Sequence, residues 1–165
     1  MIITIDSREQ NPLNFTVGGS VSRVDISGVP FGDYWCSYES GEEMPICFER
    51  KSISDLFGTL TSGHERFRRE LQKAKDNGFK IILIVEGSIS DVLAGASHST
   101  VEGKTILKTM FTMWLKYDLV PVFCNNRAEM KRFILETFEG VGRNYKPVVP
   151  SAKALVREGV GTNGR

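Results

Sequence analysis

A chain of 165 residues, 41% apolar and 25% charged, can bury one real core and has no room for a second full domain. Its net charge of +1 argues neither for nor against a nucleic-acid partner, because acids gathered near the front offset an Arg- and Lys-rich segment from Arg66 to Lys80. Cys36, Cys47 and Cys124 lie too far apart for a zinc cage or a disulfide framework, which implies a reducing compartment. The apolar start, Met1 to Ile5, stops at Asp6 and is too short for a signal-peptide core, and no later run spans a bilayer. A cytoplasmic protein with no membrane partner is expected.

The β-branched run Ile2 to Ile5 predicts a buried strand with an acid, Asp6, at its carboxyl end. After a turn-rich stretch, Val21, Val24 and Ile26 suggest a second strand, which Gly28, Pro30 and Gly32 terminate. Tyr34 to Tyr38 and Pro45 to Glu49 read as strands flanking an acidic hairpin tip, Glu39 to Glu43. Ser52 or Ser54 caps a helix through Asp55 to Leu60, and a longer helix runs from His64 to about Lys75. Lys80 to Val85 is a strand whose continuous apolar run fits a central parallel position covered on both faces.

A short helical stretch near Ile89 to Leu93 follows, and then Ile106, Leu107, Met110, Phe111, Trp114 and Tyr117 repeat at helical spacing. Leu119 to Phe123 is a short strand, and Met130, Phe133, Ile134 and Phe138 mark a final helix beginning near Asn126. The Gly-, Pro- and charge-rich segment 140–165 is expected to be a mobile tail, leaving a domain over 1–139. The alternation predicts an α/β fold: a mixed central sheet with helices on its faces.

Four segments place polar groups beside strand ends: Asp6 with Glu9, Gly32-Asp33-Tyr34, Glu49-Arg50-Lys51, and Asp55. Carboxylates that converge at the end of an open sheet repel one another unless a cation sits between them. A hard ion, Mg²⁺ or Mn²⁺, suits oxygen ligands of this kind and would activate water for phosphodiester hydrolysis. Glu49 and Lys51, two apart on a strand, project to one face while Arg50 points to the other. Glu49 can then bind metal and Lys51 meet the attacking water or the phosphate, with the Arg50 carbonyl as a further ligand. An ammonium there also stabilises the negative charge of a pentacovalent transition state.

The string Gly32-Asp33-Tyr34 followed by Glu49-Arg50-Lys51-Ser52-Ile53-Ser54-Asp55 resembles the signature of the ERCC4 nuclease family, of the XPF and Hef type. Asp6-Ser7-Arg8-Glu9 and Val85-Glu86-Gly87-Ser88 resemble further family segments, in the family's order. The resemblance implies a PD-(D/E)XK-like, restriction-endonuclease-like core that cuts one DNA strand near a branch, flap or junction with a divalent metal, in repair or recombination. It makes Asp33 and Glu49 the central metal ligands and Lys51 the catalytic lysine, with Asp6 and Glu9 as further acids around the metal. Arg50 would touch DNA or brace the site, and Asp55 would orient Arg50 or Lys51.

The family commonly works as a dimer, so a homodimer or a partner subunit is expected. Members that recognise branched DNA usually carry a tandem helix-hairpin-helix domain after the core, for which the residues past Phe138 leave no room. A stand-alone form of bacterial or phage type is the expectation.

In the helix from His64, Phe67, Leu71 and Ala74 take one face and leave Arg66, Arg68, Arg69, Lys73 and Lys75 solvated. Together with Arg8 they are candidate DNA contacts, against the plainer reading of a basic surface. Glu86 is a candidate further site acid, against the stronger reading of a salt bridge to an arginine of that helix such as Arg69. Two other functions compete with an active nuclease: a non-catalytic DNA-binding or scaffold subunit of the same fold, and a junction resolvase or restriction-type enzyme. The intact set Asp33, Glu49 and Lys51 speaks against the scaffold.

Overall fold

A computed structural model describes residues 1–145. The apolar runs form a six-stranded sheet of order β2-β1-β3-β4-β5-β6. The strands are β1 (Ile2–Asp6), β2 (Arg23–Ser27), β3 (Tyr34–Ser37), β4 (Glu43–Ser52), β5 (Lys80–Glu86) and β6 (Val120–Cys124). β3 runs antiparallel to both β1 and β4, whereas β4, β5 and β6 are mutually parallel. The mixed sheet expected from the sequence is therefore present. β2 adds to the edge parallel to β1, a pairing the turn-rich front half did not announce.

The period-two alternation of β4 and β5 sorts their side chains into two cores. Cys47, Ile81, Leu83 and Val85 pack under α1 (Ile53–Leu60), α2 (His64–Asp76) and α4 (Gly103–Tyr117), through Leu56, Phe57, Phe67, Leu71, Ile106 and Met110. Phe48, Ile82 and Ile84 face the other way, against Met130, Ile134 and Phe138 of α5 (Arg127–Asn144). The short α3 (Ile89–Ala94) starts from a Ser88–Asp91 capping box. Burial on both faces explains the unbroken apolar run of β5.

Two boundaries differ from expectation. β4 is longer than the predicted strand and carries Glu49, Arg50 and Lys51 in extended backbone, because pairing with β5 continues to Ser52↔Glu86. α5 runs on through Gly140 and Gly142 to Asn144, so the expected start of the tail lies inside a helix. The rest of the expected tail, 146–165, lies outside the described residues. All three cysteines are buried and free, and no described helix is long and apolar enough to cross a membrane.

Candidate active site

The topology brings the motif together. β3 is antiparallel to β1 and β4, so its first residues lie beside the carboxyl ends of both neighbours: Tyr34 pairs with Ile5 and with Phe48. Asp33 is thereby clamped at the end of the sheet. Its N–H donates to the Phe48 carbonyl at 2.7 Å, and its own carbonyl accepts from the Asp6 N–H at 2.8 Å. Its carboxylate Oδ2 accepts from the Arg50 backbone N–H at 2.7 Å.

Glu49 and Lys51 share the face of β4 that carries Cys47, as the spacing predicted, and look toward the α1 and α2 layer. Glu49 is only 6% exposed and forms an ion pair with Lys51. Burial, aided by the Asp33 carboxylate, raises the Glu49 pKa to about 8 against the pull of Lys51. Asp33 is likewise raised by burial, to about 6, although the Arg50 amide and Lys51 oppose the shift. For Lys51, burial works against the charge, but the Glu49 carboxylate outweighs it and holds the ammonium above its ordinary pKa. Two acids that resist ionisation beside one cation form a pocket short of positive charge.

That shortage suits a divalent ion. Among the described residues no three His, Cys, Asp or Glu side chains form a group that could hold a metal. Mg²⁺ needs no such cage, since it keeps several waters and takes one or two carboxylates plus substrate phosphate oxygens. Asp33 and Glu49 are the pair available for it.

The other expected acids are committed elsewhere. Asp6, 3% exposed, has both carboxylate oxygens engaged by the Arg8 guanidinium, with Arg8 Nε at 2.9 and 3.1 Å. Burial opposes its charge, but those Arg8 contacts win and hold its pKa below the usual value. Arg8 also donates to the Val29 carbonyl at 2.8 Å, so it braces the loop before Gly32 while most of its side chain stays exposed.

Arg50 occupies the opposite face, as expected, where its guanidinium meets Glu9 at 3.1 Å and Glu86 at 3.7 Å. It ties together the ends of β1, β4 and β5. Glu86 therefore pairs with Arg50 and not with an arginine of α2, because its register on β5 points it to the Arg50 side. Asp55 is exposed and orients neither Arg50 nor Lys51. Its N–H donates to Ser52 Oγ at 3.1 Å and its carboxylate accepts from the Ser52 hydroxyl at 2.7 Å, which caps α1.

The basic helix divides in two. Arg68 turns to Glu65 at 2.8 Å and the Tyr117 hydroxyl at 3.0 Å, and Lys75 to Asp118 at 3.1 Å, both toward the end of α4. Lys73 instead approaches the Pro30 carbonyl at 3.5 Å, in the loop that leads to Asp33. At 100° per residue, Arg66 and Arg69 lie on the Lys73 side. One site neighbour went unnoticed in the sequence: Glu70, on that same side, accepts the Gly32 N–H at 2.9 Å.

Comparison with known proteins gives a consistent family. The sequence model of the ERCC4 domain matches residues 5–137. The fold is similar to that of XPF from Aeropyrum pernix, with TM-score 0.63 at 18% identity over 96% of this chain and 69% of that one. It is also similar to XPF from Aeropyrum pernix in complex with DNA, with TM-score 0.61 at 19% identity over 89% and 68% of the two chains. A search of curated protein sequences returns no match. With its motif residues gathered at one end of a restriction-endonuclease-like sheet, the chain belongs to the ERCC4 domain family.

Proposed function

We propose that this protein is a divalent-metal-dependent DNA endonuclease whose centre is Asp33, Glu49 and Lys51. The observation that carries the reading is the buried Glu49–Lys51 pair with Asp33 beside it, two carboxylates whose pKa values burial raises. Mg²⁺ or Mn²⁺ held by Asp33 and Glu49 would polarise the scissile phosphate and lower the pKa of water.

The chain's own residues do the rest. Lys51, held against Glu49, serves as an ammonium donor to the phosphate. Its ammonium offsets the negative charge that builds as the water oxygen bonds to phosphorus and an ester oxygen leaves. Arg50 holds the strand ends in register and leaves its amide on Asp33, and Arg8 keeps Asp6 charged and in place.

DNA is the proposed substrate because the Arg66, Arg69 and Lys73 edge of α2 lies on the same side as the site, and a similar fold is known in complex with DNA. Branched or flap DNA, and a role in repair or recombination, extend the proposal by family resemblance. Pairing into a homodimer or with a partner subunit belongs to it as well, supported by Phe111, Trp114 and Leu115 exposed together on α4. The test is a panel of labelled flaps, forks, four-way junctions and plain duplex incubated with Mg²⁺ or Mn²⁺. Cleavage of one strand near a branch is expected, and cleavage of none of them with either ion would overturn the proposal.

A further inference from the structure

Glu70 sits at the middle of α2 with cations at the positions a helical ion pair needs, Arg66 one turn before and Lys73 one turn after. It pairs with neither within 4 Å. The other acids of the helix use local partners: Glu65 takes Arg68, and Asp76 takes Gln72 at 2.7 Å. Glu70 instead reaches out of its helix to the Gly32 amide at 2.9 Å.

Gly32 is buried and has φ +67, in the left-handed region that glycine adopts without strain. A Cβ there would stand 3.1 Å from both Cys47 Sγ and the Phe48 carbonyl oxygen, so the turn is pressed flat against β4. With that face closed, the Gly32 N–H points toward α2 and needs an acceptor there, since an unpaired buried amide is costly. The next residue is Asp33, whose own amide, carbonyl and carboxylate are all held from β1 and β4. Glu70 is the side chain that holds this turn from the helix layer.

We propose that Glu70 is a positioning residue of the site: by accepting the Gly32 amide proton it fixes the Gly32–Asp33 turn, and so sets where the Asp33 carboxylate stands. The same bond ties the DNA-facing edge of α2 to the acid that holds the metal. The proposal rests on the nuclease reading above for its purpose, though its geometry can be tested without cleavage.

The experiment compares Glu70→Ala, Glu70→Asp and Glu70→Gln with the unaltered chain. Alanine removes the acceptor, aspartate keeps the charge but withdraws the acceptor by one methylene, and glutamine keeps an acceptor oxygen without the charge. Amide hydrogen exchange is followed by NMR at Gly32, at Arg50, whose N–H reports on Asp33 Oδ2, and at Ile82 and Ile84 as controls in β5. Exchange at Gly32 and Arg50 should quicken by about tenfold or more in the Ala and Asp variants, with the controls unchanged, as for a local opening. The Gln variant should stay close to wild type.

Mn²⁺ affinity and kcat should fall by about tenfold in the Ala and Asp variants and recover in Gln, as when an outer partner of a metal ligand is lost. The KM for DNA should not rise, because a negative charge near DNA has been kept or removed, never added. Unchanged Gly32 exchange in Glu70→Ala would overturn the proposal. So would faster Gly32 exchange with the Arg50 amide, Mn²⁺ affinity and kcat all unmoved, since Glu70 would then only satisfy a buried amide. A Gln variant as impaired as Ala would also overturn it, because charge and not the hydrogen bond would be responsible. If the wild type binds Mn²⁺ but cuts no DNA, the nuclease reading fails while the exchange and affinity comparisons still decide the role of Glu70.

Discussion

The Arg50 amide donates to Asp33 Oδ2 at 2.7 Å, so the middle residue of the Glu49-Arg50-Lys51 run fixes the acid that precedes β3. The bond is made by backbone, and it survives any change of the Arg50 side chain. Asp33→Asn keeps an acceptor for it and removes only the charge, as Glu49→Gln does beside it. Each variant should fold normally by circular dichroism and lose detectable cleavage. Near-normal activity in both would remove the metal-site assignment.

The same two acids predict how stability depends on pH. Asp33 and Glu49 have pKa values of about 6 and 8 in the folded chain, against ordinary values of 3.8 and 4.5. Raised carboxyl pKa values mean that the folded state binds more protons than the unfolded one between those limits. Their contribution is thus fully present at low pH and is lost as pH rises toward 8. In EDTA the melting temperature should fall between pH 5 and 8, and Glu49→Gln should flatten the fall. Added Mg²⁺ or Mn²⁺ should reverse it by favouring the ionised pair. Melting curves with no pH trend, the same for wild type and Glu49→Gln, would contradict the electrostatic account.

Lys51 is 17% exposed and paired with Glu49, which makes it preorganised. A donor already in place for the transition state is worth a large factor, and Lys51→Ala should lower kcat by at least about a hundredfold. Because Glu49 then loses its cation, metal-free Glu49 should become still harder to ionise, and Mn²⁺ binding should shift to higher pH. A loss well short of that factor, measured in single-turnover cleavage, would reduce Lys51 to an ion-pair partner of Glu49.

On α4, Phe111, Trp114 and Leu115 turn outward, Leu115 with 83% of its surface exposed, while Ile106, Met110 and Met113 fill the core. An outward apolar cluster on one helix is a common feature of subunit contacts. Light scattering at micromolar concentration should give a dimer mass, and Leu115→Glu should shift it to monomer with the fold intact. Monomer mass for the wild type, with and without DNA, would count against pairing.

Periodicity made the sheet and its helices legible, because β5 and α4 are long and regular enough to state their own type. Spacing also revealed that Glu49 and Lys51 share a face. Partners were harder to read. Asp55 looked like a site acid, yet it sits three residues after Ser52, where an acid caps a helix, and the capping role won. The sequence places Glu86 beside α2, but the β4–β5 register, which only strand pairing defines, sends it to Arg50. The partner of Asp6 was not legible, because nothing local shows that an Arg two residues later folds back onto both its oxygens. Glu70 was hidden among cations; its only signal was a position bordering the Phe67–Ala74 stripe.

The division of the basic helix yields the sharpest test of how DNA is held. Arg66, Arg69 and Lys73 lie on the side of the loop that leads to Asp33, whereas Arg68 and Lys75 are engaged by Glu65, Tyr117 and Asp118 near the end of α4. Lys51 is the one cation beside Asp33 and Glu49 and it is paired with Glu49, so affinity for the phosphates of a longer DNA must come from around the proposed centre. Replacing Arg66 and Lys73 together with Ala should weaken binding similarly for every DNA sequence and reduce the salt slope by roughly one to two units. The matched double variant, Arg68→Ala with Lys75→Ala, should leave both affinity and slope near wild type. Arg69 makes no ion pair with Glu86, so Arg69→Ala can be added to the first pair without exposing a buried charge, and it should lower the slope further. Equal slopes for the two double variants would mean that DNA does not distinguish the two sides of α2, and the helix would be an ordinary solvated surface.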